Sequence, residues 1–193
     1  MRSSTATSRP FFIQLGRGRY LKTYLVGLID DHSRYILGLR IATDQKAAPI
    51  LEWIRDCFEL CGRPLDLMSD NGTPFVVWMP GALTLFGKTL RELEIRHIKT
   101  QVNSPWSNGK IESFWATLKG EVLDREVFRS IEDAEAALAA YVGYYNYHQV
   151  NAEIGWLTPA ERFDGTPFTD RGFNNVPALA HLQPWLAELR AAA

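Results

Sequence analysis

The chain has 193 residues, 46% of them apolar and 22% charged, and a net charge of −1. That length suits one domain with a small appendage, enough to bury most of its unfolded surface. The near-neutral balance excludes a wholly basic nucleic-acid binder, so any DNA surface must be a local patch, and no apolar run approaches the roughly 18 residues of a membrane span.

Residues 1–10 are rich in Ser, Thr and Arg and lack an apolar core, so they read as a disordered leader rather than a secretory signal. A short apolar run at 11–15 and the turn Gly16-Arg17-Gly18-Arg19 follow. Residues 24–29 form a nearly continuous apolar run, suited to a strand buried on both faces. The polar turn Asp30-Asp31-His32-Ser33-Arg34 leads to a third strand over 35–41, where Gly38 marks a bulge. Three strands joined by short turns predict an antiparallel meander.

Asp44 or Thr43 then caps a helix over 45–61, with Pro49 near its first turn. Ile50, Ile54, Phe58 and Cys61 form its inward stripe, and Gly62 stops it. Cys57 and Cys61, the only cysteines, read as buried thiols in a reducing compartment, because no further ligands stand at zinc spacing. A strand over 65–69, a helix over 82–93 and a strand over 95–102 come next. His97 on that last strand reads as a surface or satisfied core histidine, having no partner His or Cys near it. The loop 103–107 precedes a helix with Ile111, Phe114, Trp115, Leu118 and Val122 at helical spacing. Ser130-Ile131-Glu132-Asp133 resembles a capping box and starts a helix running to about Tyr147. Its tyrosines at 141, 144, 145 and 147 read as packing rather than a base-stacking platform. An amphipathic segment closes the chain, with Leu179, Leu182, Trp185, Leu186 and Leu189. Strands followed by alternating helices and strands predict an α/β layer fold with a mixed sheet.

Two acids carry the chemistry. Asp70 ends an apolar strand and precedes Asn71-Gly72, which places its carboxylate in the crevice beyond the sheet. The alternative is an Asp-Asn-Gly turn bonded to its own backbone. Glu112 falls in the first turns of its helix, where the helix dipole alone offers a structural explanation. Read together, the two are predicted as ligands of one metal site. Carboxylates of this kind hold Mg²⁺ (or Mn²⁺), and two such ions about 3.5–4 Å apart serve in-line phosphoryl transfer. Lys119, on the face of Glu112, is predicted to meet a DNA phosphate, with Lys110, Lys99, Arg96 and Lys88 adding a basic surface; a solvated lysine is the alternative.

Four stretches together resemble the integrase core (Asp-Asp-Glu) domain of bacterial insertion-sequence transposases and retroviral integrases. They are Leu28-Ile29-Asp30-Asp31-His32-Ser33-Arg34, Ser69-Asp70-Asn71-Gly72, Asn103-Ser104-Pro105-Trp106-Ser107-Asn108-Gly109-Lys110-Ile111-Glu112-Ser113-Phe114, and Tyr145-Asn146-Tyr147 with Leu157-Thr158-Pro159-Ala160-Glu161-Arg162. The resemblance covers residues 11–165, with 166–193 left as a helical extension. It implies an RNase H-like mixed sheet, an antiparallel meander plus parallel strands, flanked by helices. It further implies metal-dependent DNA strand transfer, DNA partners (transposon ends and target), a homo-oligomer, no membrane, and a cytoplasmic, nucleoid-associated location.

On that resemblance Asp70 is the second acid, Glu112 the third, and Lys119 a basic position after it. Their separation of 42 residues is longer than the family's usual value, and the excess is expected at 76–85. The first acid is missing: its place is expected between Ser8 and Gln14, and no Asp or Glu precedes Asp30. Asp30 is the substitute ligand considered, with turn formation as the competing role. The family's amino-terminal DNA-binding region is also absent, so a truncated copy is one expectation. An inactive remnant that binds DNA or a partner is the alternative to an enzyme; an RNase H-like nuclease has only the fold in its favour.

Overall fold

The structure is a computed structural model that describes residues 3–70, 75, 84–99 and 105–168, without the side chains of 105–108. β1 (Ser3–Gly16) returns as β2 (Arg19–Asp30), and β3 (Ile36–Ala42) pairs antiparallel with β2. The turn between β1 and β2 needs a left-handed residue, and Gly18 supplies it with φ 70°. β4 (Asp66–Ser69) joins the other edge of β1 in parallel, and β5 (Arg96–Lys99) joins β4 in parallel. The described strands therefore form one sheet in the order β3-β2-β1-β4-β5, with β1 at its centre.

Residues 3–10 are not a disordered leader: they are the first half of β1. Threonine suits a pleated strand, and here β1 lies between β2 and β4, so its backbone groups find partners on both sides. Ser4, Thr5 and Thr7 are buried with it.

Helices cover both faces. α1 (Ala47–Cys61) and α2 (Leu85–Glu92) close one core over Ala6, Val26, Leu28 and Leu67. α1 starts two residues later than expected. Neither Thr43 nor Asp44 caps it: the N-cap is Lys46, and Asp44 Oδ1 accepts from the Lys46 amide at 3.0 Å. Its inward stripe takes Cys57 rather than Cys61, which is only half-buried; burial pushes the Cys57 thiol up to about 12. Gly62 ends the helix, donating to Phe58 O at 2.9 Å. The register of β2 and β3 shifts beside Gly38, consistent with the expected bulge.

α3 (Pro105–Leu118) and α4 (Ile131–Tyr147) close the second core over Phe11, Ile13, Leu25, Ile29 and Ile36. The whole predicted stripe of α3, from Ile111 to Val122, is buried. The helix begins at Pro105, inside the expected loop, because proline suits a first helical position. Ser130 Oγ accepts from the Asp133 amide at 3.1 Å, while the Asp133 carboxylate reaches the Arg129 amide instead of completing a capping box. A complete box does form at α5 (Pro159–Phe163), between Thr158 and Glu161. Asn146 bonds both the N–H and the C=O of Ile36, at 2.9 and 3.0 Å, and so ties α4 to the edge strand β3. No described helix is long and apolar enough to cross a membrane. The turn at Asn71-Gly72, the excess at 76–83 and the segment at 179–189 lie outside the described residues.

Candidate active site

Strand alternation organises this region. Phe11 and Ile13 of β1 enter the α3 core, whereas Ala6 enters the opposite one. Ser3, Thr5, Thr7 and Arg9 therefore continue the α3 face of β1. Each of these four side chains meets an acid. Ser3 and Thr5 donate to the Asp31 carboxylate at 3.2 and 2.8 Å. Thr7 Oγ1 donates to Asp70 Oδ2, which also accepts from the Ser8 amide at 3.3 Å. Arg9 Nη2 lies 2.6 Å from Glu112 Oε1.

Asp70 follows the last residue of β4, and its own amide donates to Ala6 O at 3.4 Å. The parallel pairing of Ala6 with Ser69 puts Asp70 beside Thr7. Glu112 arrives from the α3 side and meets β1 two residues further on. Thr7 and Arg9 stand about 7 Å apart along the strand. The two predicted acids thus converge on neighbouring positions of one strand face. The helix dipole does not account for Glu112, because the start at Pro105 puts Glu112 beyond the first two turns.

A cleft of about 470 Å³ opens beside Glu112, lined by Arg9, Pro10, Trp115 and Lys119 among others. The Arg9 guanidinium lies 6.0 Å from the Trp115 ring centroid. Lys119 opens a five-residue π-type turn after α3 and chelates the Asp124 carboxylate, at 2.8 and 2.5 Å. Lys110 Nζ donates to Asp31 O at 3.0 Å. Lys99 pairs in register with Ser69, so it stands at the same sheet end as Asp70, two strands from β1.

Asp30 does not join Asp70 and Glu112. It is 2% exposed, and its Oδ2 accepts from the amide and hydroxyl of Ser33, at 2.8 and 2.6 Å, closing the turn after β2. Its neighbour Asp31 is the acid that turns toward β1, a choice the sequence did not signal. Burial holds the Asp31 carboxyl above its usual range, against the opposing pull of Thr5 and Lys110. His97 is a satisfied histidine: Nε2 meets Ser69 Oγ at 2.8 Å, its ring packs against Phe86, and burial lowers its pKa.

The fold agrees with comparisons to known proteins. Residues 93–159 match the family model described as an integrase core domain. The chain resembles an integrase core over those residues. It is 25% identical over 164 residues to the transposase for insertion sequence element IS904 of Lactococcus lactis, covering 79% of this chain and 61% of that protein. The chain spans about half the length of the curated relatives it matches. Its fold superposes on the catalytic core domain of BIV integrase with TM-score 0.59 at 20% identity, over 82% of this chain and 92% of that one. The catalytic core domain of HTLV-2 integrase, solved in complex with magnesium as a dimer, gives TM-score 0.51 at 14% identity, over 84% of this chain and 95% of that one.

The donor set around Asp70 and Glu112 does not suit a pair of divalent ions. The residue of β1 that faces Asp70 is Thr7, one place ahead of the expected window, because the strand begins at Ser3. A threonine hydroxyl is neutral and a poorer Mg²⁺ ligand than a carboxylate. Two carboxylates and one guanidinium leave a single net negative charge against the four positive charges of two ions. Among the described residues, no three acids, histidines or cysteines converge at metal-binding distance.

Proposed function

We propose that this chain is the DNA-handling core of an insertion-sequence transposase or integrase, with Asp70 and Glu112 as the acids for strand transfer. The supporting observation is their meeting on adjacent positions of one face of β1, from elements 42 residues apart in sequence. The partners in this reading are DNA, as transposon ends and target, and further copies of the chain. Mg²⁺ or Mn²⁺ is the ion that such chemistry calls for. Lys119, Lys110 and Lys99 border the site as the basic groups for DNA phosphates, and the protein works at the cytoplasmic nucleoid.

The test is nicking and joining of DNA carrying insertion-sequence ends, with Mg²⁺ or Mn²⁺. Asp70→Asn and Glu112→Gln are each expected to abolish any activity found. Activity unchanged in both variants shows the assignment to be wrong.

A second reading, a core that binds DNA or a transposase partner without cutting, is favoured by Thr7 and Arg9. It predicts DNA binding that persists in a chelator and is insensitive to Asp70→Asn.

A further inference from the structure

Three observations at Glu112 point the same way. The Arg9 guanidinium is within 2.6 Å of the carboxylate. It lies near Trp115, one helical turn after Glu112, with 6.0 Å to the ring centroid. Thr7, on the same strand face, donates to the other acid of the pair. A carboxylate presents few lone-pair sites, and a guanidinium held against it takes the directions that a metal ion needs. No nearby acid among the described residues makes up the difference. Asp31 is held two residues back along β1 by Ser3 and Thr5, and Asp30 is closed on Ser33.

We propose that Arg9 is the resident cation of this site. Its guanidinium stands in for a divalent ion at Glu112, and Thr7 leaves the remaining position without charge, so the cleft does not assemble a pair of divalent ions. This rests on reading the cleft as the integrase-core site, and of the two readings above it takes the second, binding without cutting, over strand transfer. Both members of the ion pair are about half-exposed, with side chains 43% and 55% accessible, so an added ion competes with Arg9 directly.

Mn²⁺ is the probe, titrated into the full chain and followed by calorimetry and by the spin resonance of free Mn²⁺. The wild type is expected to bind no tighter than about 1 mM, the weak end of protein sites for divalent ions. Arg9→Gln, which keeps an uncharged stem beside Trp115, is expected to bind roughly tenfold tighter or better, since a unit positive charge a few ångströms from the ion is removed. Thr7→Asp with Arg9→Gln is expected to bind two equivalents, and adding Glu112→Gln to remove that gain. Two equivalents bound by the wild type, or an affinity that Arg9→Gln leaves unchanged, overturns the proposal. The wild-type titration decides alone if a variant fails to fold. DNA binding by the wild type in a chelator, read by fluorescence anisotropy, reports separately on the functional reading. Its absence removes that reading and leaves the ion result standing.

Discussion

Asn146 belongs to the Tyr145-Asn146-Tyr147 motif, yet its contacts are structural. The residue is 2% exposed, and its amide serves both backbone groups of Ile36, itself 2% exposed. Asn146→Ala removes both hydrogen bonds and leaves a buried N–H and a buried C=O without partners. Each orphaned group costs about 1–3 kcal/mol, so the substitution is expected to destabilise by about 2–4 kcal/mol, the lower half of the summed range because water enters the space left by the amide. For a chain of this size that is a fall in Tm of roughly 5–15 °C by calorimetry or circular dichroism. Asn146→Asp is the discriminating variant. Its ionised carboxylate accepts from the Ile36 N–H but faces the Ile36 C=O without a proton. Protonation restores the donor, so the folded-state pKa of the new acid is raised. Its stabilising contribution is complete at low pH and is lost as pH rises through that folded value. The deficit of Asn146→Asp should therefore shrink on acidification, while that of Asn146→Ala should not. A Tm for Asn146→Ala within about 1 °C of wild type refutes the clamp.

Two further outcomes follow from packing and titration. A Cβ at Gly38 would lie 2.6 Å from the Trp53 ring and 2.7 Å from Cys57 Sγ, where α1 crosses β3. Gly→Ala ordinarily gains about 0.4–1 kcal/mol through the unfolded chain, but overpacking costs about 1–3 kcal/mol. Gly38→Ala should thus lower Tm, and a rise would show that the crossing yields easily. His97 has a folded pKa below its usual 6.5, so the unfolded chain takes up the proton first as pH falls. Stability should fall as pH drops from about 6.5 toward the lower folded value, and His97→Gln, which keeps a polar partner for Ser69, should flatten that dependence in urea midpoints measured between pH 7 and 5.

The sequence by itself determined the parts with local signatures. The apolar run of β2 and the helical spacing from Ile111 to Val122 declare which faces are buried, because periodicity follows directly from strand and helix geometry. The meander followed by alternating helices and strands was enough to predict the layer fold, and the Asp70 and Glu112 motifs to nominate those two acids. Tertiary structure alone decided what lies between those acids. Residues 3–10 have no apolar pattern to mark a strand; they become one because β2 and β4 offer hydrogen bonds on both edges. That pairing sets the register, and the register brings Thr7 to Asp70, Arg9 to Glu112, and Asp31 rather than Asp30 toward β1. Which side chain meets which acid depends on contacts between segments distant in sequence, and no local spacing carries that information.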